Sequence, residues 1–198
     1  MFPTFMWKIQ LRKDIYTSAN TRVLNTLDEM RQNFPPLSAS EAWQSTPELH
    51  NQEAFRHLVQ YFHNTATTIL MFLKVGYKEL VITGCWANIL AKGAAHEAHK
   101  HPNNFLSGVY YVQTQPGADT INFHDPRIQT AIIRPPVKEL TAENTDQVVV
   151  KVSNGTLLVF PSYLEHSVSP NESDKERVSI SFNVMFTSFT ETMSKPLW

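Results

Sequence analysis

The stretch Gly93–Val112, GAAHEAHKHPNNFLSGVYYV, changes character half-way, and that change decides how the chain is read. Its first half places three histidines, His96, His99 and His101, within six positions. Its second half turns into a β-branched and aromatic run of the kind that forms strands. Side chains alternate faces along an extended chain, so His99 and His101 project from the same side and can chelate one cation. A third ligand must come from elsewhere, and His166, in FPSYLEHSVSP, is the best candidate. With eight histidines in 198 residues a close pair arises by chance, and a lone H-x-H is more often a solvated turn than a metal site. The reading therefore depends on what surrounds the pair.

Outward from this stretch, short segments rich in β-branched and aromatic residues follow one another. They are Leu80–Thr83, Trp86–Leu90, Leu106–Val112, Thr120–Phe123, Ala131–Ile133, Val148–Val152, Thr156–Phe160 and Arg177–Phe186, with Gly, Pro, Asn or Asp between most of them. About eight strands without intervening helices predict an antiparallel sandwich or barrel. Before Gly76 the pattern is helical. Val23, Leu24, Leu27 and Met30 recur at helical spacing between Ser18 and Phe34, and Pro35-Pro36 ends the pattern. Ser45-Thr46-Pro47-Glu48 reads as a second helix start, continued by Phe55, Leu58, Val59, Phe62, Ala66, Ile69 and Leu70. The expected organisation is a helical support region over residues 1–78 and a β core over 79–198, integrated as one domain, with no internal repeat.

Composition excludes several function classes. Seventeen basic against eighteen acidic residues give a net charge of −1, and no Lys/Arg run exceeds two residues, so nucleic acid finds no electrostatic footprint. The single cysteine, Cys85, lies among apolar residues and reads as a buried structural thiol of a reducing compartment. Neither a signal peptide nor a membrane span is evident, which predicts a soluble, cytoplasmic protein. The aromatic N-terminus (Phe2, Phe5, Trp7) and Trp198 could bury themselves in a homodimer or cap the barrel.

The last strand, Arg177–Phe186, RVSISFNVMF, carries its own pattern. Val178, Ile180, Phe182, Val184 and Phe186 share one face; Arg177, Ser179, Ser181 and Asn183 share the other. Such a strand is either half exposed or lines a polar cavity. In a cavity the Arg177 guanidinium can clamp a carboxylate bidentately, with the Ser179 hydroxyl beside it. An arginine taken alone is more often a surface charge; its place eleven residues after His166 is what points to a site.

These residues together resemble a known family. The glycine-led His96, His99, His101 cluster, the tyrosine-rich strand, G-T-L-L-V-F at Gly155–Phe160, His166 and Arg177-x-Ser179 are similar to the core of the 2-oxoglutarate- and Fe(II)-dependent oxygenases. More closely, W-x-N-I from Trp86, H-x-H-P from His99, SGVYYV from Ser107, F-x-D-P-R from Phe123, L-x-F-P-S-x-L-x-H from Leu158 and R-x-S-I-S-F-N from Arg177 resemble a little-characterised branch of such oxygenases in bacteria and phages. The resemblance covers about residues 80–187. It implies a mainly β fold with N-terminal helices, a double-stranded β-helix or jelly-roll barrel of cupin-like type.

The resemblance also implies roles. His99 and His166 take the first and the distant iron-ligand positions. The common triad has an aspartate two residues after the first histidine, and here His101 stands there, giving a three-histidine site. Asp125 is an alternative ligand, or simply an aspartate setting the turn before Pro126. Arg177 and Ser179 would hold the distal carboxylate of 2-oxoglutarate. Asn88 and Tyr110 would line the pocket, unless they are satisfied polar residues of the barrel. His96 would face substrate or a ligand rather than bind metal. The implied cofactors are Fe(II) and 2-oxoglutarate, with dioxygen and an unassigned substrate as partners and hydroxylation as the outcome. A cupin-like three-histidine metalloprotein also fits the histidine spacing, but leaves Arg177-x-Ser179 unexplained. A non-catalytic β-domain with a vestigial site is the third reading.

Overall fold

The computed structural model describes residues 3–127, 133, 135–141 and 143–190. Two antiparallel sheets face each other. The major sheet has the order β1-β8-β5-β10-β3-β2: β1 is Trp7–Gln10, β8 Thr156–Pro161, β5 Leu106–Gln113, β10 Arg177–Phe186, β3 Leu80–Leu90 and β2 Ala42–Gln44. The minor sheet runs β4-β9-β6-β7, with β4 His96–His99, β9 His166–Val168, β6 Thr120–His124 and β7 Gln147–Lys151. Helices α1 (Lys13–Arg31) and α2 (Arg56–Phe72) cover the outer face of the major sheet, and a short α3 (Thr187–Thr190) follows β10. This is the jelly-roll architecture expected from the sequence.

Several boundaries differ from the sequence reading, each for a local reason. Leu80–Thr83 and Trp86–Leu90 are one strand, because Gly84 does not end β3 but sits at a bulge: Asn183 pairs with Gly84 and Val184 with Ile82, leaving Thr83 unopposed. Ser45–Glu48 does not start a helix. Its polar groups are taken by β3, where the Ala87 amide donates to Ser45 Oγ (2.9 Å) and the Cys85 amide to the Pro47 carbonyl (2.8 Å), so α2 begins only at Arg56. Strands β1, β2 and β9 have three or four residues, too few for a periodic signal, and form only because a neighbouring strand offers partners. The strand expected at Ala131–Ile133 lies outside the described residues except for Ile133.

Two apolar layers result. Between helices and major sheet, the Phe62 ring stacks on Phe182 with centroids 4.2 Å apart, and Tyr110 and Cys85 are fully buried beside them. Asn20 ties α1 to β5 there, its Nδ2 donating to the Val112 carbonyl (2.6 Å) while its Oδ1 accepts from the Tyr110 hydroxyl (2.5 Å). Between the two sheets lie Tyr111, Ile121, Phe123, Leu158, Phe160 and Val168. Strand β10 is therefore covered on both faces, and its polar row faces the inter-sheet space. At the surface, Phe5 and Trp7 pack on Phe72 of α2; Phe2 and Trp198 lie outside the described residues. Among the described residues no helix is long and apolar enough to cross a membrane.

Candidate metal centre

At one end of the inter-sheet space β4 and β9 pair with His99 opposite His166, and a register irregularity between His96 and His99 turns the His99 side chain inward. His101 lies just past the end of β4, its backbone amide fixed on the Ser162 carbonyl at 3.0 Å. One nitrogen from each of His99, His101 and His166 falls within 4.8 Å of the others. Ring centroids are 4.3 Å apart for His99–His166 and 5.1 Å for both pairs with His101.

Two of the rings are oriented by the backbone. His99 Nδ1 donates to the Glu97 carbonyl (2.7 Å) and His166 Nδ1 to the Leu164 carbonyl (3.0 Å), which leaves Nε2 of each as the nitrogen clear of the backbone. Phe160 packs edge-on against the His166 ring at 4.7 Å. Burial pushes the His101 pKa down to about 3, with His166 and His99 acting in the same direction. Burial also takes His166 down to about 4 against the opposing pull of the Leu164 carbonyl, with His99, His96 and His124 lowering it further. Imidazoles in a three-sided cluster are a donor set that fits a divalent first-row metal, iron included.

From this cluster a cavity of about 940 Å³ extends between the sheets. Arg177 closes one end and is 3% exposed. Its guanidinium lies 5.2 Å over the Tyr111 ring and donates to the Thr120 carbonyl (2.8 Å), and among the described residues no carboxylate pairs with it. The Tyr111 hydroxyl is buried with the Arg177 guanidinium as its polar neighbour; burial raises its pKa and the guanidinium opposes that rise. A buried cation without a carboxylate partner is costly, and a bound anion would offset that cost. Ser179, 7% exposed, and Asn88, whose Nδ2 donates to Ser181 Oγ (3.0 Å), line the same cavity.

Other expected positions lie elsewhere. Tyr110 does not line the cavity: alternation along β5 points it at the helices, where Asn20 satisfies it, and Tyr111 takes the cavity wall. The parity of Ser107, Val109 and Tyr111 carries that signal once the inward face is known. The Asp125 carboxylate is outside the histidine cluster and accepts from the Arg127 backbone amide (3.0 Å) and Nε (2.9 Å), an Asx-type turn that holds its pKa down. His96 borders the cavity 6.3 Å from the His99 ring, outside the cluster, its pKa down to about 4 chiefly through burial. Trp86 and Asn183, which sequence reasoning passed over, also line the cavity.

Residues 84–183, half of the chain, match the family described as "Putative 2OG-Fe(II) oxygenase". The chain belongs to this family of 2-oxoglutarate- and Fe(II)-dependent oxygenases. Solved structures agree on the fold. A Pseudomonas putida prolyl-4-hydroxylase is 16% identical over 92% of this chain and 93% of its own, with a TM-score of 0.61. A Trichoplax adhaerens prolyl hydroxylase, solved with a peptide fragment of a hypoxia-inducible factor, is 15% identical over 96% and 87% (TM-score 0.62). HygX from Streptomyces hygroscopicus, solved with nickel and 2-oxoglutarate, is 14% identical over 93% and 83% (TM-score 0.60). No curated protein matches the sequence. This oxygenase is a non-haem iron enzyme that uses Fe(II) and 2-oxoglutarate.

Proposed function

We propose that the enzyme hydroxylates its substrate, with His99, His101 and His166 holding Fe(II) and Arg177, Ser179 and Tyr111 holding the distal carboxylate of 2-oxoglutarate. One observation carries this reading: a buried Arg177 with no carboxylate partner among the described residues, beside the buried Tyr111 hydroxyl, in the same cavity as the histidine cluster. When bound, iron and 2-oxoglutarate supply dioxygen activation, one oxygen atom ending in succinate as carbon dioxide leaves and the other in the oxidised substrate.

The residues of the chain bind, orient and exclude. The Glu97 and Leu164 carbonyls fix the tautomer of His99 and His166, which presents Nε2 to the metal. Arg177 neutralises the distal carboxylate, and Tyr111 and Ser179 add hydrogen bonds that set its depth. Phe123, Phe160, Val168 and Ile121 form a dry wall around this end and limit side reactions of the oxidant. Because His101 replaces the usual aspartate, the protein contributes no negative charge to the iron, and the net charge of the loaded centre is one unit more positive than with a carboxylate ligand. Residues 1–78 serve as a support that braces the outer face of the major sheet; Asn88 shapes the cavity wall.

Anaerobic titration of the protein with Fe(II) and 2-oxoglutarate tests this. A visible metal-to-ligand charge-transfer band is expected in the wild type, absent in His99→Ala and Arg177→Ala. Iron binding with no band in the wild type would reduce the site to a three-histidine metal centre.

A further inference from the structure

The cavity continues past the part that iron and 2-oxoglutarate account for. Its polar row on β10 runs Arg177, Ser179, Ser181, Asn183, with about 7 Å between successive members. Ser181 pairs with Trp86, and the Trp86 indole lies 5.7 Å from the His101 ring, so the histidine cluster is level with Ser181. Asn183 and its partner Gly84 lie beyond it, on the side away from Arg177. A dicarboxylate stretched from the cluster to Arg177 leaves this outer end to a second ligand.

The outer end has an exposed aromatic face and prepared, uncharged hydrogen-bonding groups. The half-buried Trp86 indole lines the cavity and packs beside Gly84, where a Cβ would sit 3.6 Å from its ring. Asn183 is 8% exposed; its Oδ1 accepts from Ser107 Oγ (2.7 Å), itself bonded to Ser162 Oγ (2.8 Å), which fixes the amide and leaves Nδ2 without an acceptor among the described residues. Ser181 Oγ accepts from Asn88, and its own proton has no acceptor among them. Buried polar groups of a folded protein are normally paired. Both side chains line the cavity, so a ligand there can meet these donors.

We propose that this outer end binds a neutral sugar residue, its C–H face on Trp86 and its hydroxyls on Asn183 and Ser181, so that the substrate is a saccharide or glycoside. The inference rests on the oxygenase reading of the same cavity. Hydroxyl groups donate and accept, which suits a row mixing an amide donor with a serine, and the apolar face of a pyranose suits an indole. Trp86, Ser181, Asn183, Thr83 and Gln44 carry no charge; Arg177 lies at the far end, and Lys100 at the rim pairs with Glu165 (3.6 Å). Among the described residues at this end, phosphate-bearing nucleic acid thus meets a single lysine, Lys100.

The experiment uses anaerobic protein loaded with Fe(II) and 2-oxoglutarate. Saturation-transfer NMR is recorded with methyl glycosides of glucose, galactose, mannose and rhamnose, with the peptide Ac-Gly-Pro-Ala-NH2, and with thymidine. At least one glycoside binds, with saturation concentrated on ring C–H protons of one face. Trp86→Ala and Asn183→Asp, which keeps the Ser107 bond but removes the donor, each weaken it at least tenfold, and Trp86→Phe recovers part of the loss. If the charge-transfer band is present but no glycoside binds, or only the peptide or thymidine does, the saccharide assignment is overturned. Glycoside binding insensitive to both variants overturns the placement on Trp86 and Asn183. Absence of the band in the wild type removes the oxygenase reading of the cavity, and the inference with it.

Discussion

His99 and His166 stand opposite each other on adjacent strands of the minor sheet, ring centroids 4.3 Å apart, and each turns its Nδ1 to a backbone carbonyl two residues before it. That pairing leaves the Nε2 of each ring clear of the backbone. His101 adds the third donor from outside the strand.

Alanine at His99, His101 or His166 should therefore lower Fe(II) affinity by more than about 100-fold, beyond the effect usual for residues that merely orient a ligand. His101→Asp should keep iron binding, because it restores a two-histidine, one-carboxylate donor set. Anaerobic Fe(II) titration with metal quantification reads both; loss of iron from His101→Asp would show that this site cannot accept a carboxylate.

Tyr111→Phe separates binding from stability. The buried hydroxyl has only the Arg177 guanidinium as a polar neighbour, so its removal should change the melting temperature little. The affinity for 2-oxoglutarate should fall about tenfold, the value of one charge-assisted hydrogen bond. Calorimetric titration beside a thermal melt checks the pair, and a marked drop in melting temperature would show that the hydroxyl serves stability rather than ligand binding.

Phe62→Ala should be among the most damaging substitutions away from the cavity. The ring is 1% exposed and stacked parallel on Phe182 at 4.2 Å, so a cavity opens where the helices meet the major sheet. A loss of about 3–5 kcal/mol in urea unfolding is expected.

Cys85 is fully buried on β3, and loss of solvation pushes its thiol pKa from 9.0 up to about 12. The native protein should resist iodoacetamide at pH 8 and react only when unfolded. As pH rises above 9.0 the unfolded thiol releases its proton while the native one holds it until about 12, so this group lowers stability across that window. Cys85→Ala should remove that part of the alkaline destabilisation in denaturation curves taken at pH 8 and pH 10.

Much of this protein was determined locally. The 3.6-residue pattern of Val23 and Leu27 makes a helix, the period-two pattern of Arg177–Phe186 makes a strand with one polar row, and the spacing of His99 and His101 puts two donors close together. What only the tertiary structure decided is which faces meet. Alternation says that Tyr110 and Tyr111 point opposite ways; the helices covering one side of the major sheet decide that Tyr111 joins Arg177. The short strands β1, β2 and β9 exist because long-range partners claim their backbone groups, and the same pairing brings His166 to His99 across some sixty-five residues of chain. Local patterns fix which side chains share a face, and strand pairing between distant segments, which no local pattern encodes, fixes what that face confronts.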